Sequence, residues 1–455
     1  MVRFVTPLIL ASLSVAALAA QTCNNSKQCK DEKYPCCSQY GECGTGAFCL
    51  GGCDPLASFS LDSCAPMPVC KSKTYTWDNL DNAATQDKYL GNSTAADWTY
   101  SGKLKTEDGN LIMTMPPKSG GSLVANNHYI WYGKISGKFK SSRGKGVVTA
   151  FILLSDVKDE IDYEWVGADL TSVQTNYYWQ GVLDWQNGGN ISVEGGDTYN
   201  DWHTYEIDWT PEKVDWVVDG TVHRTLKKSD TYNATSKKYE FPQTPSRLQM
   251  SLWPAGQPSN AQGTIDWAGG VIDWNSEDIQ NAGYDFATVG EVSVECYDPP
   301  SDATKKGNNA YIFTNSAAME ADVAITNNNT VMGSLGATGL DMDLGADKPS
   351  SSASKGSSTT SVANSIPTGA TVGSGGMATN DDSGSSSGSS SSSSSGSGSD
   401  SSSGTSTTGD SETSTSSGFT QGTTTQDSGA AGQNERVLRG SLFGVLVALV
   451  VLVTL

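Results

Sequence analysis

A run of apolar residues followed by a strictly alternating acidic segment constrains the fold of this chain more than any other feature. Residues 147–154 (VVTAFILL) have the composition of a buried β-strand, and residues 159–164 (DEIDYE) follow shortly afterwards. Side chains on a strand alternate between its two faces. One face therefore carries three carboxylates, from Glu160, Asp162 and Glu164. The opposite face carries apolar side chains that can pack into a core, from Ile161, Tyr163 and Trp165.

Three carboxylates on one strand face repel one another and lower stability, so the pattern indicates a functional use of the charge. A retaining glycosidase needs two carboxyl groups about 5 to 5.5 Å apart. The Cα atoms of Glu160 and Glu164 are expected on the order of 13 Å apart, at roughly 3.3 Å per residue. Long Glu side chains on a concave sheet can close most of that gap, and Asp162 can hydrogen-bond Glu160 and help to keep Glu164 protonated. The alternatives are a solvated polar strand face and a calcium-binding edge.

The segment 159–167 resembles the active-site strand of glycoside hydrolase family 16. Flanking segments are similar to those of the fungal Crh cell-wall transglycosidases: 174–178, 202–205, 251–256 and 263–270. The resemblance covers roughly residues 64–300. It implies that Glu160 is the nucleophile, Asp162 its assistant and Glu164 the general acid/base. It also implies a substrate-binding set: Gln174, Asn176, Tyr178, Trp253 and Trp267.

Composition independently predicts an all-β fold for residues 71–300. Short β-branched and aromatic runs alternate there with turn signals such as Asp108-Gly109-Asn110 and Asp219-Gly220, which is typical of a sandwich or barrel. The resemblance narrows this to a curved antiparallel β-sandwich (jelly roll) whose concave cleft holds a sugar chain. Flat aromatic faces suit such a cleft because they stack on sugar rings.

The remaining segments have compositions of their own. Residues 1–20 have the pattern of a secretory signal peptide, and residues 349–432 form a Ser/Thr/Gly-rich stalk that is expected to stay disordered. Residues 433–455 are typical of a removed GPI-anchor signal, with attachment at Gly429. Residues 301–348 are expected to be an unfolded transition segment. The chain is thus predicted to be secreted, and held in the cell wall and at the outer face of the plasma membrane.

Nine of the ten cysteines lie between Cys23 and Cys70. In a secreted chain such a cluster indicates a disulfide framework, and a zinc site is the alternative. Residues 21–63 resemble a hevein-type chitin-binding module, which implies the bridges Cys23–Cys37, Cys29–Cys43 and Cys36–Cys49. Proximity suggests a further bridge, Cys64–Cys70, and leaves Cys53 and Cys296 unassigned.

The hevein-type resemblance also implies a sugar-binding platform on the module. Ser38, Tyr40 and Phe48 match three of its positions, whereas Glu42 replaces an expected aromatic residue. The module is therefore either a chitin-targeting domain or a vestige of one.

The formal net charge of −20 argues against nucleic acid or an anionic bilayer as partner. The three histidines have no ligand spacing, so neither a metal nor another cofactor is predicted. The first function implied by the resemblance is a transglycosidase that transfers chitin to β-glucan. The protein is expected to be a monomer. The alternatives are a hydrolase that uses the same residues and a non-catalytic wall-binding protein.

Overall fold

The computed structural model describes residues 21–346 and 365–367. The predicted signal peptide, nearly all of the predicted stalk, Gly429 and the predicted anchor signal lie outside the described residues. Among the helices that are described, none has the length and apolar character that crossing a membrane requires.

Two eight-stranded sheets form the body of the protein, in agreement with the predicted all-β sandwich. The front sheet has the order β14 (Gly189–Ser192), β13 (Ser172–Tyr178), β12 (Glu160–Val166), β11 (Val148–Ser155), β20 (Ser246–Trp253), β9 (Ser122–Ile130), β6 (Trp98–Ser101) and β5 (Ala83–Thr85). The back sheet has the order β17 (Thr221–Lys227), β16 (Lys213–Val218), β15 (His203–Trp209), β10 (Gly133–Lys140), β21 (Asp285–Cys296), β8 (Asn110–Met115) and β7 (Lys103–Glu107), and β4 (Lys73–Tyr75) also pairs with β21.

Smaller elements surround these sheets. A four-stranded sheet has the order β22 (Thr304–Lys305), β24 (Val323–Thr326), β23 (Ala310–Phe313) and β3 (Met67–Pro68). Two strand pairs are β1 (Cys36–Cys37) with β2 (Cys43–Gly44), and β18 (Tyr232–Asn233) with β19 (Lys238–Tyr239). The α-helices are α1 (Gln262–Trp267) and α2 (Glu277–Ala282). Single 3-10 turns cover Gly46–Cys49, Leu61–Ser63, Trp185–Asn187, Lys228–Thr231 and Glu320–Asp322.

The main core lies between the front and back sheets. Trp165 of β12 packs edge-on against Tyr205 of β15, with ring centroids 4.6 Å apart, and stacks on Phe139 of β10 at 5.2 Å. Ile161, Tyr163 and Trp165 are all at most 1% exposed. The predicted apolar face of the 159–164 segment is therefore confirmed, and the acidic residues must face away from the core.

The prediction that residues 301–348 are unfolded is wrong for 301–346, the part of this segment that the structure describes. Strands β22, β23 and β24 form a sheet there, and Tyr311 and Ile325 belong to the main core. Strand β23 pairs with β24 on one side and, on the other, with β3, which lies more than two hundred residues earlier in the chain. Such short strands are stabilised by distant partners rather than by a local pattern, so no hydrophobic periodicity in this segment predicts them.

The disulfide pattern corrects one predicted bridge. Cys23–Cys37, Cys29–Cys43 and Cys36–Cys49 are present as the resemblance implied, but Cys64 pairs with Cys53, and Cys70 pairs with Cys296. Strand β4 pairs with the end of β21, which brings Cys70 to a Cα distance of 6.0 Å from Cys296. All ten cysteines are described and bridged, so no thiolate is left for the zinc alternative.

Removal of the Cys70–Cys296 bridge is expected to destabilise the body of the protein. The bridge closes a loop of 226 residues, and long loops restrict the unfolded chain most, so a double Ser variant should lose about 2–5 kcal/mol of unfolding free energy. Denaturant unfolding measures this loss. The matched control removes Cys53–Cys64, which closes only 11 residues and should cost less. A larger loss in the control would contradict the loop-length argument.

Candidate active site

The three carboxylates lie on the front face of β12, in the interior of the front sheet. Register places Glu160 opposite Tyr178, and Asp162 opposite Asn176, on β13. On the other side, β11 places Leu154 opposite Glu160. Glu160 is 4% exposed and Asp162 2% exposed, whereas Glu164 is partly exposed. The arrangement thus holds three acidic groups in a row on a surface that is largely shielded from solvent.

The surroundings of the row differ on its two sides. The β11 side is apolar, with Ala150, Ile152 and Leu154 on the front face. The β13 side is polar, with Gln174 opposite Glu164 and Asn176 opposite Asp162. The apolar side removes water from the carboxylates, and the polar side offers hydrogen-bonding groups to a ligand.

Burial raises the pKa of all three carboxyl groups, and the charge of neighbouring carboxylates raises the pKa of Asp162 and Glu164 further. Burial raises the pKa of Glu160 to about 7, and the hydrogen bond with Asp162 opposes this rise. Burial and then the charge of Glu160 raise the pKa of Glu164 to about 8. Burial, and then the charges of Glu160 and Glu164, raise the pKa of Asp162 well above its usual value. Glu160 therefore ionises most readily, while Asp162 and Glu164 retain protons.

Asp159 anchors the start of the acidic strand, a role that sequence reasoning missed. It is fully buried, and its carboxylate accepts hydrogen bonds from Gln180 N (3.0 Å), Gln243 N (2.9 Å) and the Thr244 hydroxyl (2.7 Å). Burial raises the pKa of Asp159 to about 6. These hydrogen bonds connect the loop after β13 and the loop before β20 to Asp159, the residue directly before β12. The only sequence signal was an acidic residue directly before an otherwise alternating segment.

The five predicted substrate-binding residues fall into two contact groups. Trp267 of α1 donates a hydrogen bond from Nε1 to Gln174 Oε1 (2.7 Å) and stacks on Trp253, with ring centroids 6.0 Å apart. Asn176 Nδ2 donates to the Tyr178 hydroxyl (2.7 Å). Trp253 is 3% exposed, so Trp267 and not Trp253 carries the accessible ring of the pair.

The predicted sugar-binding platform of the cysteine-rich module is not exposed. Ser38, Tyr40 and Phe48 are 3%, 7% and 2% exposed. Phe48 packs in a cluster with Tyr89 and Met332, which lie outside the module. The sequence pattern identified the three platform residues, but it did not show that residues outside the module bury them.

Comparisons with known proteins place this site in a family. The sequence profile of glycosyl hydrolases family 16 matches residues 92–269. Crh-like protein 2 of Aspergillus fumigatus is 61% identical over 460 residues, covering 100% of both chains. The chain belongs to the Crh-like proteins of glycosyl hydrolase family 16.

Further similarities of this Crh-like protein extend across fungi. Congo red hypersensitive protein 2 of Saccharomyces cerevisiae is 49% identical over 339 residues, covering 74% of this chain and 72% of its own. The solved structure of apo Crh5 transglycosylase is 31% identical, covers 58% of this chain and 97% of that chain, and has a TM-score of 0.47. The profile match contains the acidic row and all five residues of the two contact groups.

Proposed function

We propose that this Crh-like protein is a retaining cell-wall transglycosylase that cleaves chitin and transfers the released chain to β-glucan. The observation that carries the proposal is the row Glu160, Asp162 and Glu164 on one shielded face, in which the first residue ionises most readily. Membership of the Crh-like proteins supports the choice of an enzyme over a non-catalytic wall protein.

In the first step, the Glu160 carboxylate attacks the anomeric carbon of the donor. Glu164 gives its proton to the departing glycosidic oxygen, and a glycosyl ester forms on Glu160 as the glycosidic bond breaks. Asp162 donates a hydrogen bond to Glu160 and fixes its rotamer. Because the site is shielded, the developing charges are stabilised by fixed protein groups rather than by water.

In the second step, an acceptor hydroxyl attacks the same anomeric carbon. Glu164, now a carboxylate, takes the hydroxyl proton, and the ester to Glu160 breaks, which restores both residues. Transfer results when a sugar hydroxyl occupies the acceptor position, and hydrolysis results when water does. The accessible ring of Trp267, oriented by Gln174, is suited to hold a sugar near Glu164.

The proposed setting is the fungal wall. The protein is secreted by means of the signal peptide, residues 1–20, and is a monomer. The stalk, residues 349–432, connects the folded part to a GPI anchor that is attached at Gly429. Its ligands are neutral polysaccharides, which the net charge of −20 does not repel.

The proposed function is tested with the full chain, since residues 301–346 belong to the fold. The protein is incubated with a chitin oligosaccharide and a labelled β-1,3-glucan oligosaccharide, and the products are identified by mass. Labelled hybrid chains are expected. Shortened chains without hybrids would identify a hydrolase, and unchanged substrates would favour a wall-binding role.

The pH dependence of kcat/KM is expected to be bell-shaped, with limbs above the ordinary carboxyl range. Activity needs ionised Glu160 and protonated Glu164, so it should fall below about pH 7 and above about pH 8. An Asp162→Ala variant removes the hydrogen bond that lowers the pKa of Glu160, so its acid limb should move to higher pH. Initial rates across pH test this, and an acid limb that moves to lower pH would contradict the assignment.

A further inference from the structure

The cysteine-rich module, residues 21–63, is fastened to the catalytic body by buried polar contacts. Lys158 Nζ lies 2.8 Å from the Asp54 carboxylate, whose side chain is 1% exposed. Gly52 N donates to Asp156 Oδ1 at 2.9 Å and to the Tyr129 hydroxyl at 3.2 Å. A module tethered only by a linker would not have buried ion pairs and buried backbone hydrogen bonds to its neighbour. The module is therefore a fixed part of this structure.

The place where the module docks is the front face itself. Gln249 of β20 lies opposite Ile152, which in turn lies opposite Asp162. These three side chains therefore share the front face in one row across three strands. Gln249 Nε2 donates to Gln39 Oε1 of the module at 3.5 Å. The module thus contacts the front face at Gln249, which lies two strand spacings, or roughly 10 Å, from Asp162.

Contacts on both sides of Gln39 extend this cover. Gly51 of the module packs so closely on the Arg247 guanidinium that a Cβ at this position would collide with it. Arg247 is 3% exposed and donates to the Thr99 hydroxyl of β6 at 2.8 Å. Ala84 of β5 packs against the cluster that contains Phe48. The module therefore contacts the front face at β20, and the cluster that contains its Phe48 extends to Ala84 of β5.

Two amide atoms at this contact lack a partner. Gln39 is 8% exposed and Gln249 1% exposed, and neither Gln39 Nε2 nor Gln249 Oε1 has a hydrogen-bond partner among the described residues. A buried unpaired amide atom costs free energy, so native proteins retain such atoms where another group satisfies them. A sugar hydroxyl, which both donates and accepts hydrogen bonds, satisfies either atom.

We propose that the module forms the end wall of the glycan-binding cleft, with Gln39 as the specificity-determining residue that limits how far a chitin chain extends from Asp162 toward β9 and β5. This inference rests on the proposed function, because it takes chitin as the ligand of the front face. The module then limits the length of the glycan chain that the cleft binds, and it is not a separate chitin-targeting domain.

Binding measurements in a Glu160→Gln background test the wall without turnover. Affinity for chitin oligosaccharides of increasing length is measured by calorimetry for this parent and for two additional variants. Gly51→Leu displaces the wall through its collision with Arg247, and Gln39→Ala shortens the wall while leaving the other docking contacts intact. The matched control is Glu32→Leu, at an exposed position of the module.

In the parent and the control, affinity should stop rising beyond a certain length. In both wall variants it should continue to rise, with a gain on the order of 10-fold for the longest oligosaccharide, the scale of added contacts in one subsite. If Gly51→Leu does not fold, Gln39→Ala still decides the question.

An identical length dependence in the parent and the folded wall variants would overturn the proposal. If the full chain makes hybrid products but its length dependence is unchanged, only the wall is refuted. If none of the proteins binds chitin oligosaccharides, the wall and the proposed function are both overturned.

Discussion

Replacement of Glu160 by Gln is expected to reduce turnover on the order of 10⁴-fold or more, because no carboxylate remains to form the glycosyl ester. The amide has nearly the shape of the carboxyl group, so the strand pairing of β12 and the binding of oligosaccharide should persist. Steady-state rates and calorimetric binding measure the two effects separately. Burial raises the pKa of Glu160, so loss of this carboxylate should also stabilise the fold at alkaline pH, where the wild-type group is charged.

The matched control for this variant is Glu206→Gln. Glu206 lies in a similar Glu-Ile-Asp-Trp sequence, but on β15 of the back sheet, where it pairs with Lys134 at 3.5 Å. This control should keep normal activity. Normal activity in Glu160→Gln would instead remove Glu160 from the nucleophile role.

Replacement of Glu164 by Gln is expected to have the second largest effect, a loss on the order of 10²–10⁴-fold with natural donors. The variant cannot protonate the departing oxygen, whose departure as a free alkoxide is unfavourable. Donors with a leaving group that needs no proton should recover most of the rate of the first step. Rates with natural and activated donors are compared in the same variant.

The pattern of recovery separates the two Glu residues. Glu160→Gln should not be rescued by an activated donor, because its defect lies in the nucleophile. Equal rescue of both variants, or rescue of Glu160→Gln alone, would require the two roles to be exchanged or abandoned.

The acidic strand could be predicted because its signal is local. Alternation with period two fixes which side chains share a face, and the apolar residues Ile161 and Tyr163 identify the buried face without knowledge of any partner strand. The same rule does not give the strand order of the sheet. That Gln249 lies in the row of Asp162 depends on β11 and β20, which are about a hundred residues apart.

The features that the sequence did not reveal depend on distant pairing. Cys70 is six residues from Cys64, but its partner is set by the pairing of β4 with β21. Burial of Tyr40 likewise depends on where the module docks. The acidic row could therefore be predicted from local sequence. The docking of the module on the front face and the folding of residues 301–346 could be seen only in the tertiary structure.

The most direct test of the account is detection of the glycosyl ester. The Glu164→Gln variant is mixed with an activated chitin-oligosaccharide donor, quenched with acid and digested, and the peptides are sequenced by fragmentation mass spectrometry. Without the Glu164 carboxylate to deprotonate an acceptor, the ester should accumulate, and the sugar mass should be found on Glu160. A sugar mass on another residue, or product formation without any adduct, would contradict the account.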